Sequence, residues 1–88
     1  MKIIKRNGSE VDFDLNKIVV AVSKANAACR KEELTQSQIV EIAEYVEFKI
    51  SKANRALSVE EIQDIVENQI MAQGAFDVAR LYVKYRYN

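Results

Sequence analysis

The sequence predicts an α+β fold, an N-terminal β-hairpin covering a bundle of four short helices, and three observations carry that expectation. An Asn7-Gly8 turn separates two short runs rich in apolar residues. Asp14, Thr35 and Ser58 each stand at the head of an apolar stripe with three-to-four residue spacing, and Gly74 interrupts the last such stripe. At 88 residues the chain has room for one domain, residues 1–88, and little room for a deep buried cleft.

Asn7 and Gly8 suit the positive φ angles of a two-residue type I′ turn, which would pair Arg6 with Ser9, Lys5 with Glu10, Ile4 with Val11 and Ile3 with Asp12. Alternation then puts Ile4, Val11 and Phe13 on the face covering the core, and Lys5, Glu10 and Asp12 on the other. Asp14 follows as an N-cap, ahead of Leu15, Ile18, Val22, Ala25 and Cys29 on one stripe of a first helix. Thr35 and Gln38 have capping-box spacing and open a second helix, with Ile39, Ile42, Ala43, Val46 and Ile50 on one face and an end near Lys52. Ser58 and Glu61 repeat the device before Ile62, Ile65, Val66 and Ile70. Gly74 can close that third helix in the left-handed conformation, and Ala75, Val78, Ala79, Tyr82 and Tyr85 form the buried stripe of a fourth. Ala56-Leu57-Ser58 is placed to add a brief third strand to the hairpin. With no closing signal before Asn88, the fourth helix is expected to continue into a longer chain, of which these residues are the N-terminal part.

Composition excludes several kinds of chemistry. There is no His, which removes imidazole acid–base catalysis and the usual zinc ligand. Cys29 is the one cysteine, reads as a small apolar side chain in a reducing compartment, and offers no disulfide. Gly8 and Gly74 are the only glycines, so no Gly-rich phosphate cradle of the phosphoryl-transfer kind is present. The longest apolar run, Ile18 to Val22, is far short of a membrane span, and a cytoplasmic location is expected. Thirteen Lys and Arg balance thirteen Asp and Glu, leaving no overall field to hold DNA. Residues 1–30 nonetheless carry an excess of basic side chains (Lys2, Lys5, Arg6, Lys17, Lys24 and Arg30 against Glu10, Asp12 and Asp14), which puts any anion site near the N-terminus.

Acidic side chains on the second and third helices, among them Glu41, Glu44, Glu61 and Asp64, lie mostly opposite the apolar stripes and read as a solvated face. The run Leu81-Tyr82-Val83-Lys84-Tyr85-Arg86-Tyr87 alternates aromatic and basic residues like a stacking platform, but helical spacing returns Tyr82 and Tyr85 to the core.

The constellation best suited to binding is Lys5, Arg6 and the Asn7-Gly8 turn, together with Asp14 and Lys17 at the entry of the first helix. Cations beside a helix N-terminus suit phosphate oxygens, and a carboxylate there can accept a hydrogen bond from an exocyclic amine such as adenine N6. The plain alternative is that Lys5 pairs with Glu10, Asp14 caps the helix and Lys17 is solvated. A second functional class also stays open: a small helical interaction module whose basic hairpin binds a protein or nucleic-acid partner.

The segments Ile3-Ile4-Lys5-Arg6-Asn7-Gly8, Val11-Asp12-Phe13-Asp14 and Lys17-Ile18 resemble the opening signature of the ATP-cone family. Ser58-Val59-Glu60-Glu61-Ile62-Gln63-Asp64-Ile65-Val66-Glu67 is similar to the family's third-helix start, and Val78-Ala79-Arg80-Leu81-Tyr82 through Tyr85-Arg86 to its closing helix. The resemblance implies an allosteric domain without catalysis of its own, found mostly in the large or catalytic subunit of ribonucleotide reductases. There it senses ATP, the activating effector, against dATP, the inhibitory one, with magnesium, and alters how subunits assemble, homo-oligomers included. By the same resemblance Lys5 and Arg6 match the basic pair near the triphosphate, Asp14 the residue that reads adenine, and Lys17 a further phosphate ligand. Ile3 would pack near the base, with Val59 and Gln63 approaching from the third helix. The sequence departs from some members that carry Glu where Val11 stands and His where Gln63 stands, and a basic residue common near the end of the family's fourth helix is expected just beyond Asn88.

Overall fold

The computed structural model of the chain describes residues 1–86; Tyr87, the last aromatic of the C-terminal alternation, Asn88 and any continuation of the fourth helix lie outside the described residues. Strands β1 (Lys2–Ile4) and β2 (Glu10–Asp12) form the hairpin, and helices α1 (Leu15–Ala27) and α2 (Gln36–Lys52) follow. Strand β3 (Leu57–Ser58) then leads directly into α3 (Val59–Ala72), and α4 (Phe76–Arg86) completes the bundle. The sheet runs β2-β1-β3, with β1 central: antiparallel to β2 and parallel to β3 through Ile3–Leu57 and Ile4–Ser58.

The helix starts form as their sequences require. Asp14 accepts a hydrogen bond from the Asn16 N–H, while Thr35/Gln38 and Ser58/Glu61 both close full capping boxes. Gly74, at φ +77°, ends α3: its N–H donates to the Met71 carbonyl and the Ala75 N–H to the Ile70 carbonyl, the paired bonds of a Schellman motif. The core joins Val22 and Ala25 of α1, Ile39, Ile42, Val46 and Ile50 of α2, Ile62, Val66 and Ile70 of α3, and Val78, Ala79 and Tyr82 of α4. Cys29 is half-buried against this core, and its thiol, pushed up by burial, points at the Ala25 carbonyl 3.5 Å away.

Two expectations are corrected. The hairpin register is one residue away from the type I′ pairing: Lys2 faces Asp12, Ile3 faces Val11 and Ile4 faces Glu10. Only Gly8 takes a positive φ, +86°, whereas a type I′ turn needs two such residues. The loop instead holds three residues, with the Gly8 N–H donating to the Lys5 carbonyl at 2.9 Å and the Lys5 N–H to the Ser9 carbonyl at 2.8 Å, a turn followed by a glycine bulge. Asn7 keeps a negative φ and uses its side-chain oxygen to accept from the Ser9 N–H and hydroxyl. A one-residue slip exchanges the faces of the first strand, so Ile3 packs with Phe13 against the core while Ile4 turns the other way, and Lys5 joins the inner face. The second correction concerns Tyr85, which is 48% exposed; of the two helical tyrosines only Tyr82, at 6%, belongs to the core.

Two connections were not legible in the sequence. Asn26, 4% exposed, donates from its amide nitrogen to the Leu34 carbonyl and accepts from the Glu33 and Leu34 N–H groups, pinning the α1–α2 loop to the end of α1. Glu33 in that loop accepts from the Asp77 and Val78 N–H groups, both at 3.0 Å, and so caps α4, whose own preceding residue is Ala75.

Candidate functional site

Where the hairpin meets α1, α3 and α4 there is a hollow of about 360 Å³. Ile3, Val11 and Phe13 line it from the hairpin side, Ile18 and Ala21 from α1, and Val59 and Ile62 from α3, giving a mainly apolar surface suited to a flat ring. Polar groups converge on the same space: Lys5 from the hairpin, Asp12 and Asp14 from the chain entering α1, Lys17 from its first turn, and Gln63 from α3. Tyr82 closes the α4 side, and its phenol is pushed up to about 12, chiefly by burial.

Six residues singled out in the sequence, Ile3, Lys5, Asp14, Lys17, Val59 and Gln63, therefore share one hollow. Arg6 is placed elsewhere: its Nε lies 2.8 Å from Glu60 Oε1, and its Nη2 donates to the Arg86 carbonyl at 3.2 Å, which ties the hairpin loop to the start of α3 and the end of α4. Lys5 does not pair with Glu10; the hairpin ion pair is Lys2–Asp12 at 2.8 Å, which holds the Asp12 carboxyl below its usual range. A basic hairpin surface for a macromolecular partner is correspondingly diminished, since Lys2 and Arg6 are both matched by carboxylates.

The helix N-terminus contributes less to anion binding than its position suggests. Asp14 already takes the Asn16 N–H with its side chain at 3.0 Å, and the Lys17 N–H bonds the Asp14 carbonyl at 3.1 Å. Attraction for phosphate then rests on the Lys5 and Lys17 side chains. The amide oxygen of Gln63 is buried and has no hydrogen-bond partner, an unusual cost for a polar atom beside an open hollow.

A second, wider hollow of about 750 Å³ adjoins the first and shares Lys17, Ala21, Gln63 and Tyr82 with it. Lys24, Tyr85 and Arg86 line it as well, and none of them was assigned to the site from sequence. Lys24 was findable, because it lies seven residues after Lys17 and so on the same side of α1. Arg86 had no local signal: its side chain is 5% exposed and bonds Asp64 at 2.9 Å and Glu67 at 3.1 Å, a fixed cation whose charge is largely offset. No group of three or more Cys, Asp or Glu among the described residues is arranged to hold a metal ion, and no described helix is long and apolar enough to cross a membrane.

Comparison with known proteins gives the family. The family described as the ATP cone domain matches residues 1–88. The chain is similar to the ribonucleoside-diphosphate reductase subunit alpha of Chlamydia trachomatis, 34% identical with 98% of this chain covered. It is also similar to the vitamin B12-dependent ribonucleoside-diphosphate reductase of Thermoplasma acidophilum, at 33% identity over 97% of the chain. With the anaerobic ribonucleoside-triphosphate reductase of Haemophilus influenzae it shares 31% identity over 98% of the chain. The chain spans only 9%, 11% and 12% of the lengths of these three relatives, respectively.

Proposed function

Because the chain belongs to the ATP-cone family, we propose that it is the allosteric nucleotide-binding domain of a cytoplasmic ribonucleotide reductase, binding ATP as activator or dATP as inhibitor and catalysing nothing itself. The supporting observation is the meeting of Ile3, Lys5, Asp14, Lys17, Val59 and Gln63 around one hollow. The apolar lining takes the base, Asp14 accepts from the adenine amine, and Lys5 and Lys17 hold phosphate oxygens. The described residues supply no metal cage, so magnesium would arrive on the triphosphate, keeping phosphate and water oxygens as its ligands.

Telling ATP from dATP means sensing one hydroxyl. The buried Gln63 amide oxygen fits that task, since it could accept from the ribose 2′-OH of ATP and would stay unpaired beside dATP. Discrimination in binding becomes regulation if the two nucleotides favour different placements of the hairpin. Arg6, joining the hairpin loop to α3 and α4, carries such a shift toward the surfaces that meet the rest of the reductase, its other subunits or a further copy of the chain.

Calorimetric titration of the 88 residues with ATP and dATP in magnesium tests this reading. Micromolar binding, about −8 kcal/mol, should fall sharply in Lys5→Ala and in Lys17→Ala, and Gln63→Leu should narrow the gap between the two nucleotides. A folded chain that binds neither nucleotide would refute the assignment.

A further inference from the structure

The tip of the hairpin carries a chemical combination that neither the core nor the hollows use. Asn7 and Gly8 are both exposed there, and they are the only Asn-Gly pair in the sequence. Asn is a thermolabile residue, and a following glycine puts no Cβ beside the path from the side-chain amide to the next backbone nitrogen. No atom lies within 4 Å of the place a Gly8 Cβ would take, so the loop leaves room for a ring to form. The Asn7 side chain is also oriented: its Oδ1 accepts from the Ser9 N–H at 3.0 Å and from the Ser9 hydroxyl at 2.7 Å. Its amide nitrogen makes no hydrogen bond among the described residues. The two Ser9 donors thus sit on the oxygen that gains charge when a nucleophile adds to Cγ, as the donors of an oxyanion hole do.

We propose that Asn7 is a site of spontaneous deamidation, with the Gly8 backbone nitrogen as nucleophile and Ser9 as the group that promotes its attack. The Gly8 nitrogen loses its proton to solvent hydroxide and bonds to Asn7 Cγ, while the Ser9 N–H and hydroxyl stabilise the charge on Oδ1. The Cγ–Nδ2 bond then breaks, the nitrogen takes a proton from water and leaves as ammonia, and a cyclic imide remains. Water opens the imide at either carbonyl, giving aspartate on an unaltered backbone or isoaspartate with the main chain routed through the side chain. One restraint opposes the attack, the Gly8 N–H bond to the Lys5 carbonyl at 2.9 Å, and it lies in an exposed loop where local opening is easiest. The aspartate product keeps an oxygen for both Ser9 donors. Isoaspartate adds a methylene to the main chain inside the bulge and displaces the backbone bonds joining Lys5 to Gly8 and Ser9, in the loop that brings Lys5 to the hollow and Arg6 to Glu60. The proposal does not depend on the nucleotide reading, because the reacting atoms and the donors all belong to residues 7–9.

Incubation of the full chain in warm, mildly alkaline buffer, followed by peptide mapping with mass spectrometry, tests the proposal. The peptide holding Asn7 should gain the mass that separates an acid from an amide, and its isoaspartyl fraction should accept a methyl group from an isoaspartyl methyltransferase. The parent chain has a formal net charge of zero, so the added carboxylate should also resolve the product on anion exchange. Ser9→Ala, with circular dichroism confirming an unchanged fold, should slow the reaction about two- to tenfold in the folded chain. In urea, where the hydroxyl no longer holds Oδ1, the same substitution should leave the rate unchanged. A folded chain whose Asn7 stays intact overturns the proposal, whether or not the chain in urea deamidates. A folded Ser9→Ala chain that reacts as fast as the parent, or one slowed equally in urea, overturns it as well.

Discussion

Replacing Asn26 by Ala should cost far more stability than one polar side chain normally carries. The amide is 4% exposed and satisfies three backbone groups, the carbonyl and N–H of buried Leu34 and the N–H of Glu33. Its removal leaves the two Leu34 groups without partners in a dry site, at about 1–3 kcal/mol each, whereas the Glu33 N–H can recover a water. The same loop delivers the Glu33 carboxylate to the start of α4, and losing a cap costs about 1 kcal/mol. The total, about 3–7 kcal/mol, is a large part of the roughly 4–13 kcal/mol that stabilises a domain of this size. In thermal unfolding followed by far-ultraviolet circular dichroism, Asn26→Ala should lower Tm by at least about 12 °C. Glu33→Ala alone should lower it by about 4–8 °C, while the double variant should fall short of the sum, because both changes release the same cap. A loss below about 5 °C for Asn26→Ala, or strict additivity, would refute the idea that this side chain ties α1 to the start of α4.

Three further outcomes are expected. Arg55, with help from the Ser58 N–H, lowers the Glu61 carboxyl from 4.5 to about 2, so this stabilisation is full above the unfolded value and is lost as pH falls through the folded one; urea midpoints for Glu61→Gln should show a shallower acid limb than those of the unaltered chain. Gly74→Ala meets no atom within 4 Å and is disfavoured by φ +77° alone, which should cost about 1 kcal/mol, read as a Tm drop of about 4–8 °C. Lys24→Ala should weaken triphosphate binding in calorimetry less than Lys17→Ala, since Lys17 lines both hollows and Lys24 only the wider one; the reverse order would move the phosphates into the wider hollow.

Where a feature depends on neighbours in sequence, it was legible. Both capping boxes, the Asp14 cap and the buried positions of α2 follow from side chains three and four residues apart. The short strand at Leu57–Ser58 was also visible, since it abuts the Ser58 cap. The hairpin register was not, because Ile3 and Ile4 offer equivalent apolar side chains to either face, and the choice rests on whether Asn7 takes a left-handed conformation. Lys5 entered the candidate site by a sound argument about cations near a helix start but on a face assigned to solvent; the actual register brings it inward. Arg6 looked equivalent to Lys5 and is not, because Glu60 and the Arg86 carbonyl, both distant in sequence, claim its guanidinium. Asn26 and Glu33 act through partners outside any local pattern, and Asn26 on an apolar stripe is the clue that a burial-minded reading could have pursued.

The central position of β1 has a bearing on how the chain acquires its structure during synthesis. Its first edge finds β2 within a few residues, but the second waits for β3, more than half the chain later, and that parallel pairing cannot be made by a tight turn. The hairpin thus leaves the ribosome before the helices and is among the last segments to be locked, after α1 and α2 have had time to form by local contacts. Val59 and Gln63 arrive with that closing step, so the hollow comes into existence only when folding is nearly complete. A ligand that fills it would bind finished molecules and hold them, shifting the folding balance in proportion to its concentration.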